Sequence, residues 1–372
     1  MHTCLFLQKI NEISIHCIFS KSSYKPDQMI QVTKHGIVLE KTNIDFENEG
    51  VLNPGVIVHD NQIHMFYRAV HKGNHSTIGY CLLDTPLNVL YRRQTPLIFP
   101  EFEYESKGLE DPRVVKIDNT FYLTYTAFNG TNALGAVATS TDLKHWNKKG
   151  IIVPQVTYDD FRTLAESKGE LNDKYLRYNE HERNFDSSQE EVLLWDKNLI
   201  FFPRRIQRML CFLHRIKPDI QILISINELS DLTKEFWNTY MSNFTEHIVL
   251  SPRYEHEISY IGSGCPPIET KAGWLIIYHG VHDSVKGFVY SACAALLDLE
   301  NPQNEIARLP YPLFFPEFRW ELTGEVNNVC FPTGAILQDD TIYIYYGAAD
   351  ERIAVASVSL RELLTELELN KI

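Results

Sequence analysis

The sequence lacks the motifs of several common enzyme classes. Its 372 residues contain no glycine-rich phosphate loop, no HExxH motif and no GxSxG motif. Nucleotide-dependent, zinc-protease and serine-esterase functions therefore have no support in the sequence. The 7 cysteines are scattered and include no CxxC pair, so neither a zinc site nor a disulfide framework is predicted. A reducing compartment is the simpler interpretation of this pattern.

The sequence also has little that would direct the protein to a membrane. A short apolar patch at 13–19 is interrupted by His16 and lacks the basic start, long apolar run and cleavage site of a signal peptide. No later segment approaches the length of a membrane span. We therefore predict a cytoplasmic protein. Residues 1–28 are interpreted as an N-terminal extension, disordered or outside the native fold, since Met29 would also serve as a start.

Positive charge is scarce overall, whereas aromatic residues are abundant. The formal net charge is −13 at pH 7, which argues against nucleic acid or an anionic membrane as the main partner but allows a local basic pocket. The 20 Phe, 19 Tyr and 5 Trp suit β-strands and flat sugar-binding surfaces. The composition thus favours a soluble, β-rich protein.

The chain repeats a unit of two apolar strands around a polar turn. Five copies are visible, at 53–68, 111–125, 201–215, 266–279 and 331–347, each followed by a short strand of small and β-branched residues. About four strands per repeat is typical of propeller blades. We therefore predict an all-β fold, a five-bladed β-propeller. A stacked β-sandwich is the alternative, but its strands need not recur as matched units.

The repeats also define the domain organisation. We predict that residues 29–372 form a single propeller domain. The segment 155–194 is rich in Asp, Glu, Asn and Lys and is predicted to be an insertion or lid between blades, with a solvated surface loop as the alternative. At the C-terminus, a capping Ser359 followed by leucines at helical spacing predicts a short amphipathic helix.

The stretch 108–113, Gly-Leu-Glu-Asp-Pro-Arg, places two carboxylates and an arginine at the entrance of an apolar strand. Pro112 fixes its own φ and is expected to hold Asp111 in an extended backbone, so that the side chain is aimed before any substrate arrives. A catalytic acid at this entrance is one interpretation. The other is that Asp111 only starts a strand and Arg113 neutralises it.

Basic residues recur at comparable strand ends in several repeats. They are Arg68, Lys197, Arg215 and His279. In a propeller such positions converge around one channel, where they would form an anion site suited to phosphate oxygens. The alternative is that each pairs with a nearby carboxylate. A metal site is not predicted, because closely spaced histidines lack a set of carboxylates or cysteines beside them.

Motifs spread from residue 53 to residue 364 resemble, in order, those of the β-mannoside phosphorylases of glycoside hydrolase family 130. The motifs are Asn53-Pro54, 110–113, Lys197, Phe202-Pro203, His214-Arg215, 262–268, 273–280, 295–298 and 345–350. The resemblance implies a five-bladed propeller that cleaves β-mannosidic bonds with inversion. Inorganic phosphate would be the co-substrate and α-mannose 1-phosphate the product.

The resemblance also implies roles for individual residues. Asp111 matches the catalytic acid, which would protonate the glycosidic oxygen through a hydroxyl of the bound mannose. Phosphate would be held by Arg68, Lys197, Arg215 and His279. The mannose subsite would be lined by Asn53, Arg113, Tyr278 and Asp350. One departure is Tyr260, which stands where relatives often carry another basic residue.

The chemistry of an inverting displacement agrees with these roles. It needs an acid on the leaving-group side and a nucleophile on the opposite face of the sugar. Because a phosphate dianion is itself a nucleophile, cations that orient it replace a second catalytic carboxylate. We predict a β-mannoside phosphorylase without cofactor or metal. A β-mannosidase that uses water and a non-catalytic glycan-binding propeller are the alternatives, and linkage, acceptor sugar and homo-oligomer formation stay open.

Overall fold

The computed structural model describes residues 29–175, 191–285 and 287–372. Almost all of them belong to the unit Val32–Ile372. The predicted N-terminal extension, 1–28, and the middle of the predicted insertion lie outside the described residues. Within the described ranges, no helix has both the length and the apolar character needed to cross a bilayer.

The fold is mostly β, as predicted. The first ten strands are β1 (Thr33–Leu39), β2 (Gly50–His59), β3 (Gln62–His71), β4 (His75–Thr85), β5 (Asn88–Arg92), β6 (Gly108–Ile117), β7 (Thr120–Phe128), β8 (Ala133–Ser140), β9 (Asn147–Ile151) and β10 (Lys197–Phe201). The others are β11 (Leu210–Arg215), β12 (Ile220–Ile226), β13 (Ile248–Leu250), β14 (Tyr260–Ser263), β15 (Ile268–Thr270), β16 (Gly273–Ser284), β17 (Gly287–Leu297), β18 (Glu305–Arg308), β19 (Cys330–Gln338), β20 (Thr341–Ala348) and β21 (Arg352–Ser359).

Helices occupy connections between strands and the C-terminus. They are α1 (Tyr158–Ala165), α2 (Lys234–Ser242), α3 (Arg319–Leu322) and α4 (Leu360–Leu369). Helix α4 is the predicted C-terminal helix: the Ser359 hydroxyl accepts from the Glu362 backbone N–H, and Leu363 and Leu367 are buried. Helix α1 lies in the predicted insertion, where buried Phe161 packs against Phe244.

The strands pair into four hydrogen-bonded sheets that contain five antiparallel units. Unit 1 comprises β2 to β5, unit 2 β6 to β9, unit 3 β10 to β13, unit 4 β14 to β18, and unit 5 β19 to β21 together with β1. Units 1 and 2 share a sheet through a single parallel pairing of Ser76 with Gly108. Each of the five sequence repeats falls within one unit.

The units contact one another in chain order. Strand β2 contacts β6 and β19, and β10 contacts β6 and β14. Strand β19 also contacts β16 and β17 of unit 4, so unit 5 touches both unit 4 and unit 1. Hydrophobic side chains fill the spaces between neighbouring units, as where Met65 of unit 1 and Tyr345 of unit 5 share one buried cluster. Residues distant in sequence are therefore brought into contact.

A fully buried glutamate precedes the first strand in four of the units: Glu47, Glu105, Glu257 and Glu321. Each carboxylate pairs with a basic residue from an outer strand, at distances of 2.9 Å to Arg92, 2.8 Å to Lys148, 3.0 Å to Arg308 and 2.9 Å to Lys34. In three of them a tyrosine of the second strand donates its hydroxyl to the same glutamate: Tyr67, Tyr278 and Tyr346. We call these four arrangements the glutamate clusters.

The glutamate clusters have a sequence signature. Units 2 and 5 carry matched hexapeptides, Pro-Glu-Phe-Glu-Tyr-Glu at 100–105 and Pro-Glu-Phe-Arg-Trp-Glu at 316–321. The two aromatic rings of each hexapeptide stack, with centroids 5.2 Å apart for Phe102 and Tyr104 and 4.5 Å apart for Phe318 and Trp320. Each hexapeptide thus combines a stacked aromatic pair with the buried glutamate at its end.

Strand β1 completes unit 5 chemically as well as by hydrogen bonding. It pairs antiparallel with β21, and its Lys34 supplies the cation for Glu321. Outer strands of units 1, 2 and 4 supply the corresponding cation from within the same unit. The first described strand therefore takes the place of an outer strand in the last unit.

Unit 3 uses a different buried arrangement. At the second-strand position where the other units have tyrosine, it has His214. The His214 ring contacts the Asp196 carboxylate through Nδ1 at 2.7 Å and the Tyr240 hydroxyl through Nε2 at 2.7 Å. His214 and Asp196 are fully buried. Tyr240 of helix α2 thus packs onto unit 3, which carries Lys197 and Arg215.

Candidate active site

Three first strands bend at the same point through a β-bulge. Asn53, Asp111 and Asn198 have positive φ values of 49°, 52° and 53°, and the strand register shifts at each of them. Asn and Asp tolerate this left-handed region better than most residues. The prediction that Pro112 holds Asp111 extended is therefore wrong: the bulge sets its conformation and aims its side chain.

The Asp111 carboxylate is held by neutral and cationic donors. Asn53 Nδ2 donates to Asp111 Oδ1 at 2.8 Å, and Arg68 Nη1 lies 3.7 Å from the same oxygen. Burial would raise the pKa of Asp111, but Arg68, Arg113, the Asn53 hydrogen bond and Lys197 together lower it. The structure therefore presents Asp111 as a carboxylate that needs a change in its surroundings before it can donate a proton.

Glu110, to which the sequence assigned no role, organises two of the predicted phosphate ligands. Arg68 Nη2 donates to Glu110 Oε1 at 2.8 Å, and Lys197 Nζ lies 3.6 Å from Glu110 Oε2. Burial would lower the pKa of Arg68, but Glu110, Asp111 and Asp350 outweigh it and raise that pKa. Arg68 and Lys197 are thus paired in part with a carboxylate, as the alternative interpretation anticipated, yet they also lie beside Asp111.

Arg215 lies opposite Lys197 and close to Tyr260. Lys197 and Arg215 are opposite one another across β10 and β11, and the Arg215 guanidinium lies 5.6 Å from the centroid of the Tyr260 ring. Lys217 lies 4.7 Å from the same ring centroid. Two basic side chains therefore flank Tyr260, the position where the sequence lacks a basic residue.

His279 differs from the other three predicted phosphate ligands in its electrostatics. It is fully buried, and burial together with Arg215, Arg113 and Lys217 lowers its pKa well below its usual range. A second positive charge would be repelled by these neighbours. His279 can still donate one N–H to an anion, but it adds no charge to the site.

Several buried polar atoms in this region have no hydrogen-bond partner among the described residues. They are Asn53 Oδ1, Arg68 Nε, Asn198 Oδ1, Arg215 Nε, Ser263 Oγ, Thr333 Oγ1 and both ring nitrogens of His279. Buried polar groups are normally paired, so this concentration of donors and acceptors suits a polar ligand. The Cβ of any residue replacing Gly262 would lie 2.5 Å from His279 Nε2 and 2.7 Å from Asn198 Oδ1, so glycine keeps this space open.

Asp350 lies next to the same cluster, at the turn between β20 and β21. Burial raises its pKa to about 6; Arg68 opposes that rise, and Asp111, Glu110 and Glu325 add to it. Gly347, three residues before Asp350, packs directly against Asn53: a Cβ at residue 347 would lie 1.9 Å from Asn53 Oδ1. Asp350 and Asn53 are therefore both near Asp111, as predicted for residues that share a subsite.

Arg113 and Tyr278, also predicted to line the mannose subsite, lie in the protein interior. Arg113 is 2% exposed and donates to the backbone carbonyls of Asp111, Ser263 and Gly264. Tyr278 is fully buried and donates its hydroxyl to Glu257 at 2.7 Å as part of a glutamate cluster. The structure brings Arg113 to Asp111 through its backbone and leaves Tyr278 in the core of unit 4.

One group of three potential metal ligands lies close together among the described residues, at His256, Glu257 and Cys293. Glu257 already accepts from Tyr278 and Arg308, and burial raises the pKa of the Cys293 thiol well above its ordinary value. A buried, protonated thiol is a poor metal ligand. This group belongs to the glutamate cluster of unit 4.

Asn198 and Glu110 are the site residues that sequence reasoning missed. Asn198 occupies the bulge position of unit 3, as Asn53 and Asp111 do in units 1 and 2. Aligning the first strands of the repeats by their pairing with Arg68, Thr126 and Arg215 would have found it, because each bulge directly follows that register position.

Comparison with known proteins assigns the chain to a family. The family model described as beta-1,4-mannooligosaccharide phosphorylase matches residues 25–369. The 1,2-beta-oligomannan phosphorylase of Thermoanaerobacter sp. (strain X514) is 32% identical over 339 residues, covering 88% of this chain and 96% of the relative. Beta-1,2-mannobiose phosphorylase from the same strain is 33% identical over 331 residues, covering 84% and 91%. The chain therefore belongs to glycoside hydrolase family 130.

A solved structure confirms the likeness at the level of the fold. The beta-1,2-mannobiose phosphorylase from Listeria innocua, in complex with beta-1,2-mannobiose, superimposes with a TM-score of 0.68 at 21% identity. The match covers 92% of this chain and all of the Listeria chain, 100%. The mostly β architecture of this chain is thus that of its family.

Proposed function

We propose that this protein catalyses inverting phosphorolysis of a β-mannoside, with release of α-mannose 1-phosphate. Membership of a family whose named relatives are mannoside phosphorylases supports the reaction class. The observation that carries the proposal is the arrangement of Asp111 beside Arg68 and Lys197, with Arg215 across the strand pair. One acid and a set of cations are what displacement by phosphate requires.

The cations also provide a way to make Asp111 an acid. In the structure, Arg68, Arg113 and Lys197 lower the pKa of Asp111. A phosphate dianion bound to Arg68, Lys197 and Arg215 would cancel much of this positive charge, and the pKa of Asp111 would rise. Phosphate binding would thereby prepare the general acid for proton transfer through a hydroxyl of the mannose. In this proposal His279 binds phosphate as a neutral hydrogen-bond donor.

In the mannose subsite, Asn53 and Asp350 would contact the sugar. Arg113 would act by holding Ser263 and Gly264 against Asp111, and Tyr278 by holding Glu257 within unit 4. In this proposal Asn53 and Asp350 touch the substrate, whereas Arg113 and Tyr278 are positioning residues. Asn198, with its unpartnered Oδ1, belongs to the same pocket.

We further propose that the five antiparallel units are the blades of a closed β-propeller. The contact of unit 5 with both unit 4 and unit 1 supports this arrangement. So does β1, which supplies both an outer strand and Lys34 to unit 5. Residues 155–194 are an insertion between blades in this scheme. No cofactor is needed, and the cytoplasmic location predicted from the cysteine pattern is kept.

Hydrolysis by water is the first competing function. A hydrolase needs a carboxylate free to activate water; Glu110 is engaged by Arg68 and Lys197, which leaves Asp350 as the carboxylate beside Asp111 for that role. The set of cations Arg68, Lys197 and Arg215 favours phosphorolysis. A propeller that binds glycans without cleaving them is the second competing function.

An assay of products with and without phosphate separates these functions. The protein is incubated with β-1,2- and β-1,4-mannobiose, and α-mannose 1-phosphate and free mannose are measured. We expect α-mannose 1-phosphate only when phosphate is present. Free mannose at an undiminished rate without phosphate would show a hydrolase, and no turnover of any β-mannoside would favour the binding protein.

A further inference from the structure

Trp195 lies at the end of the predicted insertion, two residues before Lys197 and the start of strand β10. The Lys197 Nζ lies over the Trp195 ring, 4.9 Å from its centroid. The negative face of an aromatic ring attracts an ammonium at this distance, and tryptophan is the best of the aromatic partners. Trp195 is therefore in direct contact with one of the proposed phosphate ligands.

Lys197 needs such a contact to keep one position. Its Nζ lies 3.6 Å from Glu110 Oε2, which is an ion-pair distance but longer than a hydrogen bond. The Lys197 side chain is 20% exposed, so Glu110 and burial alone leave it room to move. A lysine loses much rotamer freedom when it binds an anion, and contacts that fix it beforehand reduce that cost.

The Trp195 ring is itself fixed in orientation. The indole is half-buried, and its Nε1–H donates to the Thr131 carbonyl at 3.0 Å. The ring meets Phe128 edge to face, with centroids 6.5 Å apart and an interplanar angle of 81°. This is a favoured geometry for an aromatic pair. The face that contacts Lys197 is thus a rigid surface.

The backbone before Trp195 is held at two points. The Leu193 N–H donates to Asn132 Oδ1 at 2.7 Å, in the connection between β7 and β8. The Leu194 N–H donates to the Val156 carbonyl at 2.8 Å, in the segment between β9 and α1. The described end of the insertion therefore fixes Trp195 relative to unit 2, which carries Asp111.

We propose that Trp195 is a positioning residue of the phosphate site, which holds the Lys197 ammonium in place before phosphate binds. The proposal rests on the proposed function, because phosphate is the ligand concerned. Trp195 acts through Lys197, so its loss weakens the binding of phosphate and leaves the binding of the mannoside unchanged. No bond is made or broken at Trp195.

The test compares two substitutions of Trp195 that differ in whether an aromatic face remains. Initial rates with phosphate and mannobiose varied in turn give a KM for each substrate. We expect Trp195→Leu to raise the KM for phosphate by about fivefold, with less than a twofold change in the KM for mannobiose. Trp195→Phe keeps an aromatic face and loses only the Nε1–H donor, so the KM for phosphate should rise by less than about twofold.

Trp146→Leu is the matched control. Trp146 is another half-buried tryptophan, whose Nε1–H donates to the Leu143 carbonyl at 3.2 Å and whose ring meets Phe66 edge to face. Its replacement removes the same indole and the same kind of hydrogen bond from the core of unit 2. Both KM values should stay within about twofold of those of the unmutated protein.

A second measurement leaves the fold intact if Trp195→Leu is unstable. The 5 tryptophans are replaced during expression by a fluorinated tryptophan, whose ring face is less negative. We expect the KM for phosphate to rise by about twofold in the labelled protein, since the attraction for the ammonium is weaker. Labelling of Trp195→Phe should leave its KM for phosphate unchanged.

The outcomes separate this inference from the proposed function. An unchanged KM for phosphate in Trp195→Leu, or equal changes in both KM values, overturns the role of Trp195 while phosphorolysis stands. A rise in Trp195→Phe as large as that in Trp195→Leu also overturns it, because the aromatic face would not be what matters. Absence of turnover by the unmutated protein on every mannoside overturns the proposed function itself.

Discussion

The glutamate clusters and the candidate active site are both buried and charged, but they differ in how their polar groups are paired. Glu257 accepts from Tyr278 and is paired with Arg308 at 3.0 Å. Around Asp111, by contrast, atoms such as Arg215 Nε and His279 Nε2 have no partner among the described residues. The glutamates of the clusters are paired with cations, although Arg308 Nη2 has no partner among the described residues. The site concentrates such atoms and so leaves bonding capacity for a ligand.

This difference indicates which buried charges contribute to stability and which to function. A buried ion pair that loses one partner leaves an uncompensated charge, which is strongly destabilising. A site kept partly unpaired stores that cost until a ligand binds. Substitutions should therefore separate the two regions: those in the clusters affect folding, and those in the site affect turnover.

The largest effect is expected for Asp111→Asn, which removes the proposed acid and little volume. We expect kcat for phosphorolysis to fall by about a thousandfold, the range of a general acid, while mannoside binding persists. Kinetics with saturating phosphate measure kcat, and calorimetric titration with mannobiose measures mannoside binding. Asp118→Asn, at an exposed turn of the same hairpin with a similar positive φ, is the control and should keep full activity.

Glu257→Gln tests the other side of the comparison. The change removes one of the two carboxylates that pair with buried Arg308, since Glu305 remains, and we expect a loss of about 1.5–3 kcal/mol in the free energy of unfolding. Urea unfolding measures that loss, and kcat/KM of the folded fraction should fall far less than in Asp111→Asn, because Glu257 acts on the site only through Tyr278. Glu255→Gln, an exposed change two residues earlier in the chain, should leave stability unaltered; equal stability of both variants would contradict the role of the clusters.

Asp350→Asn is expected to stabilise the protein, in contrast to Glu257→Gln. The pKa of Asp350 is raised from 3.8 to about 6 in the folded protein, so its ionisation favours the unfolded state. The contribution of protonated Asp350 to the free energy of unfolding is therefore lost as pH rises from about 4 through 6. The variant has no ionisable group at this position and avoids that loss. At pH 8 the variant should be more stable by up to about 3 kcal/mol, with no difference below pH 4. Parallel pH profiles of the two proteins would contradict this.

Arg215→Met removes a proposed phosphate ligand. We expect the KM for phosphate to rise by about tenfold or more while the KM for the mannoside changes little, because the guanidinium would contact only the anion. Initial rates with each substrate varied in turn give both constants. Arg208→Met, an exposed change in the preceding turn, is the control; equal effects on both KM values would place Arg215 outside the phosphate site.

The smallest effect concerns His279. Because its pKa lies well below the usual range, it stays neutral throughout the working pH range. The KM for phosphate, expressed as the dianion, should therefore change by less than about twofold between pH 6.5 and pH 8. A tenfold rise over this interval that is absent in His279→Gln would show that His279 binds phosphate as a cation.

The repeat pattern predicted much of the site because hairpins impose equivalent positions. Arg68, Arg215 and His279 occupy matching places on second strands, so the sequence alone indicated that they approach one another. The positions of Asn53 and Asp111 at matching strand starts followed in the same way. These are relations within a repeat, and spacing along the chain encodes them directly.

Other features depended on contacts that spacing does not encode. The pairing of Lys34 with Glu321 joins residues 287 positions apart, although the matched hexapeptides at 100–105 and 316–321 were visible in the sequence. The lowered pKa of His279 follows from burial and from Arg215, Arg113 and Lys217. The left-handed backbone of Asp111 follows from a bulge, which outweighs the usual preference of a residue before proline.

The most direct test of the account runs the proposed reaction in reverse. The protein is supplied with α-mannose 1-phosphate and a sugar acceptor, either mannose, glucose or N-acetylglucosamine, and both phosphate release and new disaccharide are measured. We predict a β-mannoside formed in equal amount to the phosphate released with at least one acceptor. Phosphate or mannose released without any disaccharide, or no reaction with all three acceptors, would contradict phosphorolysis at the Asp111 site.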